Sequence, residues 1–214
     1  MVTDRAGERD TFIRSARRQQ LIECAVEVIA DVGLARASTV RIAKQAGVSR
    51  GVLTYHFRSR TELIEQVVAR VYDLGAESLG RRLRAVASSR EFLLVFIGGS
   101  VEFYSAYPRH VAALTAIFSG IEDDSPTRSE HSRHTQEMRE LAEALREGQD
   151  RGEFRAFDVD VMARTVRHAL DGAIAYLTAG GDAQLYASEL QELFDAATRQ
   201  PNTGRPATRS GEPP

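Results

Sequence analysis

The chain has little cysteine and no long apolar run, and both shortages limit the kinds of protein it can be. Its one cysteine, Cys24, excludes an internal disulfide and a cysteine cluster for zinc. Cys24 lies among apolar residues of a predicted helix, which favours a packed core thiol over a redox sensor. A run of ~18 apolar residues is missing, so we expect no transmembrane helix. The N-terminus also lacks the apolar segment of a secretion signal, which predicts a cytoplasmic protein with no membrane partner.

The sequence also lacks the alternation of apolar and polar residues that is typical of β-strands, and it lacks the common motifs of enzymes. It contains no phosphate-binding loop, dinucleotide-binding glycine pattern, zinc-protease motif or serine-hydrolase motif. His131, His134 and Glu137 have a spacing that could ligate a metal, but the surrounding arginines and glutamates favour a solvated charged face. We therefore expect no enzyme, no cofactor and no metal site.

Helical periodicity is present along nearly the whole chain and predicts an all-α fold of about nine helices. Capping residues and glycines set the expected ends of these helices. Ser88 and Pro108 interrupt the pattern, and an acidic segment with a proline over 121–128 predicts a loop. The predicted helices cover 13–32, a short segment from Ser38 or Thr39, 50–56, a long segment from 60, 91–106, 109–119, 129–148, 158–179 and 183–198.

The most informative stretch is residues 39–63, which predict two short helices around a glycine-centred turn and the start of a third helix. Gly47 stands where a left-handed residue usually ends a helix. Ser49 is a good N-cap for the second helix, predicted over 50–56. This layout is a helix-turn-helix, which places its second helix in the major groove of DNA.

The third helix of this stretch begins with a capping box, in which Ser59 is the N-cap and Glu62 the third helical residue. Apolar residues then recur at helical spacing, so the helix is long and links this unit to the rest of the chain. Its amino terminus carries Arg58 and Arg60 and is suited to bind a DNA phosphate.

The predicted second helix has an inward and an outward face. Leu53 and Phe57 are one turn apart and should face inward. Gly51 near the helix start is costly for helix formation, and close approach to DNA would compensate for that cost. The outward face, with Val52 at its margin, is Arg50, Gly51, Thr54 and Tyr55.

Charge is unevenly distributed along the chain. Residues 13–60 hold nine Lys and Arg against three acids, a net charge of +6, whereas residues 61–214 carry −7. A basic patch confined to one module is typical of a nucleic-acid-binding protein. The alternative is a three-helix bundle with a solvated basic face.

Residues 15–70 resemble the DNA-binding domain of TetR-type transcriptional regulators. The resemblance is carried by Ile-Ala-Lys-Gln-Ala-Gly-Val-Ser at 42–49, Gly-Val-Leu-Thr-Tyr-His-Phe at 51–57 and Ser-Arg-Thr-Glu-Leu at 59–63. Two positions depart from the family pattern, because many relatives have Tyr where Thr54 stands and Lys where Arg60 stands. Arg60 keeps the charge of a lysine but not its geometry.

The resemblance implies which residues contact DNA. Tyr55, His56 and Arg60 would bind phosphates, and Arg41 and Lys44 would add contacts to the DNA backbone. In the first helix, Arg14, Arg17 and Arg18 either add phosphate contacts or form a solvated helix end. The full predicted DNA-binding set is Arg41, Lys44, Ser49, Arg50, Gly51, Val52, Thr54, Tyr55, His56 and Arg60.

The C-terminal part of the chain offers either an ordinary helical core or a cavity for an apolar or amphipathic small molecule. Small residues at 98–100 leave space beside the aromatic side chains of one helix. TetR-like regulators generally hold an effector in this region. Polar anchors would come from Tyr104, Tyr107, His110, His168 and Asp171. The predicted effector-binding set is Phe96, Phe103, Tyr104, Tyr107, Phe118, Met138, Leu141, Met162, Val166 and Leu170.

The last two predicted helices carry more apolar surface than one hairpin needs, which favours a homodimer through a four-helix bundle over a hairpin that closes its own core. The dimerising residues would be Val161, Thr165, Ala169, Ala173, Leu177, Leu185, Leu193, Phe194 and Ala197.

The predicted organisation is a disordered arm over 1–12, a DNA-binding domain over 13–60, an effector-binding and dimerisation domain over 61–198 and a disordered tail over 199–214. The predicted function is a dimeric repressor that a small-molecule effector releases from a palindromic double-stranded DNA operator. The alternatives are a helical enzyme with a DNA-binding head and a non-specific architectural DNA binder. The acidic second part argues against the architectural protein, because wrapping DNA needs widely spread positive charge.

Overall fold

The computed structural model describes residues 4–119 and 132–200, and in these ranges the chain forms nine α-helices and no β-strand. The all-α fold expected from periodicity is therefore confirmed. The helices are α1 (Asp4–Val32), α2 (Thr39–Gln45), α3 (Arg50–His56), α4 (Arg60–Ala85), α5 (Ser89–Ala106), α6 (Pro108–Ser119), α7 (Ser132–Asp150), α8 (Val159–Thr178) and α9 (Ala183–Thr198).

Serine side chains begin the helices of the N-terminal unit, as predicted. The Oγ atoms of Ser38 and Ser49 each accept a hydrogen bond from the backbone amide three residues later, at 3.3 Å. Ser59 does the same for α4, at 3.0 Å to the Glu62 amide. The Glu62 carboxylate accepts in turn from the Arg58 amide at 2.8 Å, one residue before the N-cap. Local capping therefore sets the starts of α2, α3 and α4.

The buried apolar residues form two clusters. The head core joins α1, α2, α3 and the first half of α4 through residues such as Leu21, Ile29, Ile42 and Leu63. Cys24 is half-buried beside this cluster, and burial raises the pKa of its thiol. The body core joins the second half of α4 with α5, α7, α8 and α9. Because α4 contributes to both clusters, it connects the head and the body.

Three predicted boundaries are wrong. Helix α1 begins at Asp4 rather than Ile13, because residues 4–12 contain no proline to stop a helix. Helix α7 continues through Gly148 to Asp150. The predicted disordered tail is wrong at its start, since the Gln200 amide group donates to the Phe154 carbonyl at 2.7 Å. The predicted loop at 121–128 and the rest of the tail lie outside the described residues.

Among the described helices, none combines the length and the apolar character needed to cross a membrane.

Candidate DNA-binding surface and body cavity

The turn between α2 and α3 is made by a glycine in the left-handed conformation. Gly47 has a φ of +67°, and the Val48 amide donates to the Ala43 carbonyl at 3.0 Å. These features confirm the predicted turn chemistry. Ile42 and Ala43 are buried in the head core, so α2 supports α3 from beneath.

One face of α3 is buried and the opposite face is open to solvent. Leu53 and Phe57, the residue that follows α3, are almost completely buried, as predicted. Their burial fixes which side of α3 faces solvent. Tyr55 is 68% exposed. The Thr54 hydroxyl donates to the carbonyls of its own helix, at 3.0 Å from Gly51 and 3.2 Å from Arg50. The exposed set is Arg50, Gly51, Val52, Thr54 and Tyr55.

A cation, a phenol and an imidazole meet at the end of α3. The guanidinium of Arg14 lies 5.7 Å from the Tyr55 ring centroid, and the Tyr55 and His56 rings make an edge contact at 5.2 Å. Partial burial, together with the charges of Arg18, Arg14 and Arg17, lowers the pKa of His56. His56 is therefore uncharged at neutral pH and can donate a neutral hydrogen bond.

Arg18 is bonded within the head instead of facing a phosphate. Its guanidinium donates to the Glu62 carboxylate at 2.9 Å and to the His56 carbonyl, and it lies over the Phe57 ring at 4.3 Å. The bond from Arg18, then that from the Arg58 amide, lowers the pKa of Glu62. Arg18 thus ties α1 to the ends of α3 and α4. Its phosphate-binding alternative is not favoured by this geometry.

Arg60 also has partners within the head. Its Nη2 donates to the Leu34 carbonyl at 2.5 Å and its Nε to the Ala37 carbonyl at 3.4 Å. These bonds close the segment between α1 and α2. The two carbonyls use two of the five N–H groups of the Arg60 guanidinium, so donors remain for the predicted phosphate contact.

The remaining predicted DNA-binding residues differ in what their side chains can do. Arg41 and Lys44 are exposed on α2. The Ser49 hydroxyl already accepts the Val52 amide as an N-cap. Ser49 can therefore act on DNA only through its remaining hydrogen-bonding capacity, whereas Arg41 and Lys44 are available for phosphates.

The body contains a cavity of about 170 Å³ bounded by α4, α5, α6, α7 and α8. Its walls are mainly apolar, from Val71 and Leu79 of α4 to Ile174 of α8. Of the ten predicted effector-binding residues, the four that line it are Phe96, Phe103, Tyr104 and Phe118.

The other six predicted residues do not line this cavity. Leu141, Val166 and Leu170 are buried in the body core, and the remaining three pack against that core. Helical periodicity identifies a buried face but cannot separate the wall of a cavity from a packed core. The six residues are Tyr107, Met138, Leu141, Met162, Val166 and Leu170.

A buried arginine, which the sequence analysis did not select, stands at the polar end of the cavity. Arg167 of α8 has a side chain that is 9% exposed. It donates to the Glu137 carboxylate at 3.2 Å, to the Asp171 carboxylate at 2.8 Å and to the Tyr104 hydroxyl. Burial disfavours its charge, but Tyr104, Glu137 and Asp171 together hold the pKa of Arg167 well above its usual value. Burial raises the pKa of Tyr104, so this hydroxyl stays protonated.

The charged face of α7, which was predicted to be solvated, is buried at His134 and partly buried at Glu137. His134 is buried, and its Nδ1 lies 3.1 Å from the Tyr72 hydroxyl and 3.9 Å from the Glu137 carboxylate. The third member of the predicted cluster, His131, lies outside the described residues. The sequence contained one signal for the buried arginine of α8. Arg167 stands at position i+4 of a helical stripe that begins at Ala163 and is otherwise apolar, at Val166 and Leu170.

Helix α6 lies between the cavity and the head. Leu114 and Phe118 line the cavity, while Ala113 and Ile117 are buried in the head core. Arg109 makes ion pairs with α1, at 2.8 Å to Glu27 and 2.6 Å to Asp31. His110, predicted as a polar anchor, instead contacts the Glu23 carboxylate of α1 at 2.9 Å.

The outer face of α8 and α9 is apolar and exposed. Val161, Leu185 and Leu193 are 61%, 52% and 59% exposed. Ala173 and Phe194, which were predicted to dimerise, are buried inside their own subunit because they pack into the body core. The exposed apolar residues therefore form a narrower face than predicted.

Comparison with known proteins agrees with this geometry. The family model described as "Bacterial regulatory proteins, tetR family" matches residues 21–67, which span the head. The protein named HTH-type transcriptional regulator BetI 1, from Chromohalobacter salexigens, is 41% identical over 87 residues, 40% of this chain and 43% of the relative. The chain thus spans less than half the length of the curated relatives it matches.

Solved structures share the whole architecture at low sequence identity. The transcriptional regulator FadR from Bacillus subtilis, in complex with stearoyl-CoA, has a TM-score of 0.71 and 20% identity, covering 83% of this chain and 97% of its own. AibR, in complex with isovaleryl coenzyme A and operator DNA, has a TM-score of 0.72 and 18% identity, covering 83% and 97%. These similarities establish the nine-helix fold for head and body together.

Proposed function

We propose that the protein, whose residues 21–67 match the model of the tetR family of bacterial regulatory proteins, is a dimeric transcriptional regulator that binds a specific DNA operator and responds to a small molecule. The observation that carries the proposal is the exposed face of α3, held in place by Leu53 and Phe57 within a head of net charge +6. A helix so presented fits the major groove, where base edges can be read.

The residues of the exposed face divide by role. Arg50, Gly51, Val52 and Thr54 face base edges, and Arg50 supplies the side chain best suited to bind guanine. The phosphate contacts come from Tyr55, His56, Arg60, Arg41, Lys44 and Arg14. Of these, Arg14 gains support from its position over the Tyr55 ring.

An experiment on Arg50 tests this proposal. Operator fragments are selected from genomic DNA with the full-length protein, and affinities for the selected and a scrambled duplex are then measured by fluorescence anisotropy at fixed salt. Arg50→Ala should lower affinity for the selected duplex by ~5- to 150-fold, the loss expected of one good base contact worth ~1–3 kcal/mol. The loss should be smaller for the scrambled duplex.

The matched control for Arg50 is Arg146→Ala, which removes an exposed arginine from α7 of the body. Arg146→Ala should leave both affinities unchanged. If the unmodified protein bound the selected and scrambled duplexes equally, the specific regulator would be refuted in favour of the non-specific DNA binder.

The response to a small molecule rests on the cavity and on α6. A ligand among Phe96, Phe103, Tyr104 and Phe118 would contact α6 directly, and α6 also packs on α1 through Ile117 and Arg109. A ligand can release DNA only if it binds the DNA-incompetent arrangement more tightly, and ~1–3 kcal/mol of coupling gives ~5- to 150-fold release. Bound coenzyme A esters in FadR and AibR support a ligand-responsive body.

The dimer rests on the exposed apolar residues of α8 and α9. Two copies of these helices can form a four-helix bundle about a two-fold axis, and that symmetry matches a palindromic operator. The enzyme alternative is less well supported, because the relatives matched in sequence are transcriptional regulators by name.

A further inference from the structure

The middle of the exposed α3 face offers few hydrogen-bond donors to DNA. Arg50 stands at the start of the helix, and Tyr55 stands near its end. Between them, Gly51 has no side chain, and Val52 is apolar and 37% exposed. Thr54 is the remaining exposed residue of this face. What the middle of the face can read therefore depends on how the Thr54 side chain is turned.

The Thr54 hydroxyl is used within α3. Its single O–H group is shared between two backbone carbonyls, at 3.0 Å from Gly51 and 3.2 Å from Arg50. Threonine in a helix often bonds the carbonyl three or four residues earlier in this way. A base could take this proton only if the bonds within α3 were broken. The exposed side chain therefore offers DNA its other Cβ substituent, the γ-methyl group.

The space beside Thr54 suits an apolar contact. Gly51 and Thr54 are three residues apart and lie on the same face of α3. A Cβ at Gly51 would meet only the Ser49 Oγ, at 3.6 Å, so no larger side chain of the described residues fills this space. A base edge can approach the backbone closely at such a glycine. The apolar feature that the major groove presents is the C5-methyl group of thymine.

We propose that Thr54 is a specificity-determining residue that reads a thymine of the operator through its γ-methyl group and not through its hydroxyl. The contact joins two methyl groups, so it separates thymine from cytosine, whose C5 carries hydrogen. Arg50, four residues earlier on the same face, supplies hydrogen bonds that the methyl group cannot make. The inference rests on the proposed function, because it requires α3 to lie in the major groove.

The first test removes the methyl group from the DNA. Each thymine of a selected operator half-site is replaced in turn by deoxyuridine, which lacks only the C5-methyl group. Fluorescence anisotropy at fixed salt then gives the affinity of the full-length protein. At one position the replacement should weaken binding ~4-fold, which corresponds to the ~0.8 kcal/mol of one buried methyl group. Replacement at that position in both half-sites should weaken binding ~15-fold.

Two variants of Thr54 separate the methyl group from the hydroxyl. Thr54→Ser keeps the hydroxyl and removes the methyl group, so it should bind the thymine and deoxyuridine duplexes equally at the sensitive position. Thr54→Val keeps a methyl group and removes the hydroxyl, so it should retain the ~4-fold preference for thymine. The reverse pattern, in which serine keeps the preference and valine loses it, would overturn the proposal.

The matched control is Thr178→Ser, which deletes the same methyl group from the body. Thr178 of α8 is exposed, and its hydroxyl donates to the Ile174 carbonyl at 2.7 Å, four residues earlier. The variant should leave the thymine preference unchanged. A thymine contact made by Val52 would persist in Thr54→Ser, so the comparison assigns the sensitive position to Thr54.

The same measurements separate this inference from the proposed function. If deoxyuridine weakened Thr54→Ser and the unmodified protein alike at every position, or weakened neither, the methyl contact would be refuted. A preserved preference for the selected over the scrambled duplex would then leave the regulator standing. Equal binding of those two duplexes by the unmodified protein would refute the regulator and the methyl contact together.

Discussion

Gly51 is the residue of the exposed α3 face that the rest of the protein explains least. A Cβ built there would meet only the Ser49 Oγ, at an ordinary contact distance of 3.6 Å. The backbone of Gly51 does not have a positive φ, so no conformational demand requires glycine. Glycine in a helix nevertheless costs ~1 kcal/mol relative to alanine. No contact within the described protein accounts for this glycine, and the close approach to DNA proposed for α3 would account for it.

This reasoning gives a prediction for Gly51→Ala. The variant should be up to ~1 kcal/mol more stable, because alanine is the better helix former. It should also bind the selected operator more weakly, because the added methyl group separates α3 from the base edges. Chemical denaturation and fluorescence anisotropy measure the two effects. Unchanged operator affinity would contradict the role assigned to this glycine.

Gly47 provides the comparison for Gly51. A Cβ at Gly47 would meet nothing within 4 Å, but the φ of Gly47 is +67°. Gly47→Ala should therefore lower stability by ~1–2 kcal/mol, the cost of a left-handed conformation for an L-residue. Two glycine-to-alanine changes four residues apart thus have opposite expected effects on stability.

At the scale of elements, α9 presents two different apolar faces. Phe194 and Ala187 are buried against the body, whereas Leu185 and Leu193 remain exposed. Exposed leucines about two turns apart on a well-packed helix indicate an interaction surface. The buried face completes the subunit, and the exposed face is available to a second copy.

We predict that Leu193→Glu converts the dimer to a monomer, because two like charges would face each other across a two-fold axis. Sedimentation velocity at several protein concentrations measures the change. Val40→Glu, at an exposed apolar residue of α2, should leave the dimer intact. A dimer that survives Leu193→Glu would place the subunit interface elsewhere.

At the scale of the whole molecule, α6 contacts both the body and the head, as α4 does. Ile117 is almost fully buried in the head core, although α6 also forms a wall of the cavity. The ion pairs of Arg109 are half-exposed and contribute little to stability. Apolar packing of α6 in the head core, in which Ile117 is buried, therefore contributes more to stability than these ion pairs.

We predict that Ile117→Ala destabilises the protein by ~2–5 kcal/mol and increases hydrogen exchange in α1. Mass spectrometry of peptides from 21–32 measures this effect. Ile174→Ala makes the same deletion on α8, at the cavity wall and outside the head core, and should leave exchange in α1 unchanged. Equal effects of the two variants on α1 would contradict a specific path through α6.

Local features of the sequence correctly predicted the turn, the helix caps and the buried face of α3 in the head. The turn at Gly47, the caps at Ser49 and Ser59 and the inward position of Leu53 all depend on neighbours within a few residues. Such features follow from local sterics and hydrogen bonding. The ends of α3 and α9 agree with prediction for the same reason.

The body cavity and the partners of the arginine side chains were decided only by the tertiary structure. Arg167 meets partners 30 and 63 positions away in the chain, and Arg60 reaches carbonyls 23 and 26 positions away. Periodicity shows that a helix face is buried but not what lies opposite it. The sequence by itself determined which helix faces outward in a basic head. Only the packing of five helices around one space decided that a buried arginine and its carboxylate partners would stand at the cavity, because burial brings together charges that the chain keeps far apart.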